Sequence, residues 1–132
     1  MKKNILFTVL MIFLLTGCGK ANQVRFEAVS DSTYSGREEW GYSYVQEEGS
    51  ILLTVYRGTK NTGGYGISVE SVVGDEKHID VTVVEENPDS EPGAVVTEAL
   101  TYPCCTVRIF INPQEISVRN QRGDEYPYLL QN

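Results

Sequence analysis

The chain has 132 residues and a formal net charge of −7, with 18 acidic against 11 basic side chains and three cysteines. That length supports one small domain with a modest core, not two. The basic residues are scattered among carboxylates, which excludes the clustered Lys and Arg surface that phosphate recognition needs, so no nucleic-acid partner is expected.

At the amino terminus Lys2 and Lys3 precede an apolar run from Ile5 to Leu15, and Leu15-Thr16-Gly17-Cys18 closes it. Such a run is too short to cross a bilayer as a helix. A basic start, a short apolar stretch and small residues before a cut are instead what a secretory signal needs. The closing tetrapeptide resembles the lipobox of bacterial lipoproteins. That resemblance implies removal of residues 1–17, lipidation of the Cys18 thiol and a polar tether over 18–23. The mature protein would then sit on the extracytoplasmic face of the cell envelope. Several acyl chains on one cysteine, at roughly 0.8 kcal/mol per buried methylene, hold a protein to a membrane firmly. Loss of Lys2 and Lys3 would shift the net charge from −7 to about −9. The domain itself would not be drawn to anionic lipid, and the anchor is its expected membrane contact.

With Cys18 assigned to lipid, the adjacent pair Cys104 and Cys105 remains. Neighbouring cysteines cannot meet the usual disulfide geometry, whose Cα atoms stand about 5.5 Å apart, without a strained ring. Two small apolar residues in a strand are the simpler expectation.

A β-domain is expected over 24–120. Val24-Arg25-Phe26-Glu27-Ala28 alternates and predicts a first strand. Residues 30–49 carry Tyr34, Trp40, Tyr42 and Tyr44 among Ser, Asp, Gly and Glu, without helical periodicity. They predict mostly loop, with one strand at 40–45. Ile51, Leu53 and Val55 then share one face of a strand, with Thr54 and Tyr56 on the other. Tyr65, Ile67 and Val69 form a second such row, and Ile79, Val81 and Val83 a third. Gly74-Asp75-Glu76-Lys77 between the last two has hairpin-turn composition. Cys105, Val107, Ile109 and Ile111 alternate next, Asn112-Pro113-Gln114 reads as a turn, and Ile116 and Val118 finish a second predicted hairpin. Short strands, β-branched faces and close turn signals predict an all-β fold, a small antiparallel β-sandwich or partly open barrel. From Gln121 to Asn132, with Tyr126-Pro127-Tyr128, the chain reads as a polar, frayed tail.

No residue carries a catalytic signature. His78 is the only histidine and begins a strand whose outward row is polar, where a solvated side chain is expected. A Ser-His-Asp arrangement has no nucleophile-elbow sequence to support it. One histidine and an adjacent cysteine pair lack zinc spacing. The acidic stretch Glu85-Glu86-Asn87-Pro88-Asp89-Ser90-Glu91-Pro92-Gly93 has proline where an EF-hand loop needs glycine, and reads as a solvated loop. No metal or other cofactor is expected, and the chain is not expected to be an enzyme.

The loop Gly58-Thr59-Lys60-Asn61-Thr62-Gly63-Gly64-Tyr65 joins two predicted strands and is not a P-loop, since no Gly-Lys-Ser/Thr ending leads into a helix. Its glycines can take positive φ and bring the backbone close to a partner. The run Tyr56 to Ile67, then Pro92-Gly93, then Leu100-Thr101-Tyr102-Pro103, resembles the C-terminal domain of the protease complex subunit PrcB family over residues 50–120. Cys104 departs from the further aromatic common there, and residues 24–49 have no counterpart. The resemblance implies a lipid-anchored, non-enzymatic accessory protein of the envelope that docks on an exported protein, a protease by implication. It places the partner-binding surface on Thr59, Lys60, Asn61, Thr62, Gly63, Gly64, Tyr65, Tyr102 and Pro103. Two other readings compete. Asn61-Thr62-Gly63-Gly64-Tyr65 faintly resembles the loop of chagasin-type protease inhibitors, which are also β-sandwiches. The Tyr and Trp residues would also suit a small-ligand or cell-wall binder.

Overall fold

The computed structural model describes residues 22–30, 37–88 and 100–130. The expected signal segment, Cys18 and Pro92-Gly93 lie outside them. Seven strands follow in order: β1 (Phe26–Ser30), β2 (Trp40–Glu47), β3 (Ser50–Arg57), β4 (Gly66–Gly74), β5 (His78–Glu86), β6 (Cys104–Ile109) and β7 (Glu115–Asn120). They form a four-stranded sheet in the order β1-β6-β3-β2 and a three-stranded sheet in the order β4-β5-β7. The fold is therefore all-β, a small sandwich rather than a closed barrel. Among the described residues no helix is long and apolar enough to cross a membrane.

Period-two patterning accounts for the core. Ile51, Leu53 and Val55 of β3 and Cys105, Val107 and Ile109 of β6 point inward from one sheet, and meet Val72, Ile79, Val81, Val83 and Val118 from the other. Burying each branched side chain of this kind is worth about 1.5–3 kcal/mol. In β4 the alternation slips at a bulge between Val69 and Ser71, which is what turns Val72 to the core in place of Ser71. β2 exists as expected and runs two residues further than the predicted 40–45.

The β4–β5 hairpin forms as predicted, antiparallel from Gly66↔Glu86 to Gly74↔Ile79. The second predicted hairpin does not. After β6 the chain crosses to the other sheet, and β7 pairs with β5 in parallel, from His78↔Glu115 to Val83↔Asn120. The crossing is held at its turn, where Gln114 N donates to Glu76 O at 2.9 Å and Glu115 N to Lys77 O at 3.1 Å. Alternation reports which face of a strand is buried and not which edge it joins, so β6 and β7 look like hairpin neighbours in the sequence.

Both open sides of the sandwich are strapped. Val24 N donates to Val72 O at 2.8 Å and Gly74 N to Asn22 O at 2.8 Å, before the same chain enters the opposite sheet as β1. On the other side the carboxy-terminal segment is docked, not frayed. Glu125 bridges Arg119 of β7 and Tyr128 bridges Tyr42 of β2. Tyr126 is buried and stacks on Trp40 with ring centroids 4.9 Å apart. Gly41 makes room for the strap: with φ at 153°, a Cβ there would lie 2.5 Å from Pro127 O. Covering the edge strands β2 and β7 removes unpaired backbone that could template aggregation.

Candidate functional site

The loop after β3 is built by its own backbone and by one distant strand entry. Lys60 and Thr101 form an antiparallel bridge, Lys60 N donating to Thr101 O at 2.8 Å and Thr101 N to Lys60 O at 2.9 Å. Thr101 Oγ1 donates to Thr62 O at 2.9 Å, and Arg57 N donates to Pro103 O at 2.9 Å. The segment Thr101-Tyr102-Pro103 thus lies extended beside the loop, as a residue preceding proline favours. Thr101 and Pro103 are buried while Tyr102 is half-buried between them. Of the residues expected to bind a partner, Thr59, Asn61 and Gly64 are exposed, and Lys60, Thr62, Gly63, Tyr65 and Tyr102 are half-buried. Pro103 is sealed in the core, so it offers no surface and acts as support. Gly58 and Gly64 hold φ of 82° and 89°. At Gly64 a Cβ would stand 2.9 Å from the Pro88 Cβ, so only glycine lets the loop turn back against the end of β5.

Beneath the loop sits Arg57, the inward residue that follows Ile51, Leu53 and Val55. Its Nη1 donates to Gly66 O at 3.0 Å and to Glu86 O at 2.8 Å, tying the last residue of β3 to the mouth of the β4–β5 hairpin. Its Nη2 donates to Asn87 Oδ1 at 2.9 Å and lies 3.5 Å from Glu85 Oε2. Two cations lie over the Tyr65 ring, Arg57 at 5.2 Å and Lys60 at 5.3 Å from its centroid. Burial, then the charge of Arg57, lowers the Lys60 pKa against a smaller opposing pull from Glu85.

Glu85 is not part of a solvated acidic loop. Its side chain is buried and shared between Arg57, Arg122 (Nη2 to Oε2, 2.6 Å) and the Tyr126 hydroxyl, which donates to Oε1. Burial alone would raise the Glu85 pKa, but Tyr126, Arg122, Arg57 and Asn120 together outweigh it and hold the carboxyl below its usual value. Burial first, then Glu85, raises the Tyr126 pKa. The Gln121 side chain completes the end of β5 by pairing with both the N–H and the carbonyl of Glu85, at 3.0 and 2.9 Å. Sequence reasoning missed Arg57, Glu85 and Tyr126 as members of one site. A signal was present for two of them: Arg57 ends the inward row of β3 and Glu85 ends the inward row of β5, so two opposite charges occupy core-facing positions that need partners.

The other chemistry-bearing groups are separate. His78 Nε2 lies 3.2 Å from Asp80 Oδ1 and 3.2 Å from Ser117 Oγ, and Nδ1 lies 3.4 Å from Glu115 Oε2. Nε2 is shared between Asp80 and Ser117, and with the ring and both carboxylates open to water the group is a surface ion-pair cluster. Cys104 and Cys105 are thiols on opposite faces of β6 and form no bridge. Burial pushes the Cys105 thiol up to about 12, far from a reactive thiolate. Among the described residues no group of three or more His, Cys, Asp or Glu side chains could hold a metal ion.

Residues 51–109, from β3 to the end of β6, match the family described as PrcB C-terminal. The matched stretch contains the loop, Arg57, Glu85 and Thr101-Tyr102-Pro103. No curated protein and no solved structure matches the chain.

Proposed function

We propose that this chain, which carries a PrcB C-terminal domain over residues 51–109, is a lipid-anchored, non-enzymatic accessory protein of the cell envelope that docks on an exported protein, a protease by the family's implication. The observation that carries the reading is the braced loop. Residues 59–64 expose short hydrogen-bonding side chains at Thr59 and Asn61 on a backbone fixed by Thr101 and underpinned by Arg57, all within the family match. A loop fixed before binding loses little conformational entropy when a partner docks. The half-buried Tyr65 and Tyr102 beside it supply the amphipathic ring area that interfaces favour.

Capture from detergent-solubilised envelopes of the source cell tests this. The wild-type chain should enrich an exported peptidase, and the Thr59→Ala/Asn61→Ala variant should enrich it several-fold less while unfolding at the same urea concentration. Equal capture by the two would move the site elsewhere. Adding the chain to the enriched peptidase separates roles: maintained or raised activity supports the accessory reading, and loss of activity the inhibitor.

A further inference from the structure

We infer that the domain stands end-on at the bilayer, with the β4–β5 and β6–β7 turns facing lipid and the loop 59–64 held about 25 Å further out. The inference rests on the proposed lipidation of Cys18. Asn22 is already fixed to the fold, because its carbonyl accepts from Gly74 N at 2.8 Å and Gln23 bridges Val73. Four residue steps separate it from Cys18, and chain of that length reaches at most about 14 Å whatever its conformation. Gly74 is the last residue of β4, and Tyr65 of the candidate loop immediately precedes its first residue, Gly66. A nine-residue strand spans about 25 Å. The tether is therefore too short to let the domain invert and bring the loop to the membrane.

The end from which the tether leaves carries apolar and cationic side chains among carboxylates. Arg25 lies over the Phe110 ring at 4.1 Å, and both border, with Lys77 and Ile111, a depression beside Asp75 and Glu76. The β2–β3 turn adds the exposed Glu47 and Glu48 to the same end, so the short tether and not charge attraction is what sets it at the lipid, with the Arg25 and Lys77 stems able to reach the interface. An acidic domain is not drawn to lie along an anionic surface, which leaves the short end as the contact. The partner of the loop must then offer its docking surface about a domain's length away from the lipid, as a protein with an ectodomain does and a membrane-embedded peptide does not.

Energy transfer from tryptophan to dansyl-labelled phosphatidylethanolamine, in phosphatidylethanolamine/phosphatidylglycerol vesicles bearing the full lipidated chain, tests the orientation. Trp40, the only tryptophan, starts β2 at the loop end. Lys77→Trp in a Trp40→Phe background moves the donor to the opposite end, and Gln114→Trp in the same background is a second exposed position there. Both variants should transfer several-fold more efficiently than the wild-type chain. Equal transfer, or stronger transfer from Trp40, overturns the end-on arrangement while leaving the anchor intact. If the wild-type chain fails to float with vesicles, as Cys18→Ala should fail, the anchor reading falls and the orientation falls with it.

Discussion

Two charged clusters lie at opposite ends of the three-stranded sheet and use similar groups to different effect. At the start of β5, His78 meets Asp80 and Glu115 with side chains 39%, 47% and 77% exposed. Near its end, Glu85 meets Arg57 with side chains only 7% and 5% exposed. Water screens the first set, and an exposed pair of this kind contributes between nothing and about 1 kcal/mol. The second set has left water, so each charge depends on its partners to offset desolvation. The buried cluster also joins parts distant in the chain: β3, both ends of the β4–β5 hairpin and the carboxy-terminal strap. The difference is one of position along the strands. His78 belongs to an outward row and Glu85 to an inward one, so burial, not residue type, decides which ion pair organises the fold.

Breaking the buried cluster at its hub should have the largest effect. Arg57→Ala removes the contacts to Gly66, Glu86, Asn87 and Glu85 and leaves a buried carboxylate short of a cation. Urea unfolding should register a loss of about 3–5 kcal/mol. A loss below about 1 kcal/mol, the range of an exposed pair, would erase the contrast.

Glu85→Gln keeps an acceptor but removes the charge, and should cost about 2 kcal/mol at neutral pH. The acid limb sharpens this test. Because the folded carboxyl is held below its ordinary value of 4.5, its contribution is present above that pH and is lost as pH falls through the depressed folded value. Wild-type stability should therefore drop more steeply below about pH 4.5 than that of the Gln variant, measured as urea midpoints across a pH series. Parallel acid limbs would mean that Glu85 is not held by the cluster.

The loop above Arg57 should respond more mildly. Gly64→Ala puts a Cβ 2.9 Å from Pro88 at a φ of 89°, and should cost about 1–2 kcal/mol, seen as a lower melting temperature. An unchanged melting temperature would show that the loop yields rather than being braced.

The exposed cluster should matter least. His78→Gln should change stability by a few tenths of a kcal/mol, at about the scale of a screened surface pair. The hydrogen bond that His78 donates to Asp80, with a further contribution from Glu115, raises the His78 pKa above its ordinary 6.5 against a small cost of burial. Its stabilisation is complete below about pH 6.5 and disappears as pH rises through the elevated folded value. The difference between wild type and variant should vanish at high pH or in molar salt, and its persistence there would point to a packing role for the ring.

Much of the candidate site was legible in part. The loop 58–65 and the segment Leu100 to Pro103 are recognisable from their residues and order, and the structure places them side by side through Lys60 and Thr101. What the residues did not reveal is the division of labour among them, since Pro103 points to the core and Thr59 and Asn61 to solvent. Glu85 sits in a run of acidic and turn-forming residues, which made a solvated loop the natural reading. Only its register with Val83 and Val81 hinted otherwise. Tyr126, between polar residues and a proline, carried no periodic signal that could have placed it under Trp40.

The amino-acid sequence by itself determined most of the strands, the buried rows of β3, β5 and β6 and the β4–β5 hairpin, because alternation and turn composition act over a few neighbouring residues, while the bulge that turns Val72 inward in β4 was not legible. Tertiary structure alone decided that β7 joins β5 in parallel, that residues 125–130 strap the two sheets, and that Arg57 finds Glu85 across 28 positions of chain. Those choices are made by hydrogen bonds and desolvation between distant segments. A strand's own pattern records that it needs a buried face and a paired edge, but not which distant edge will satisfy it.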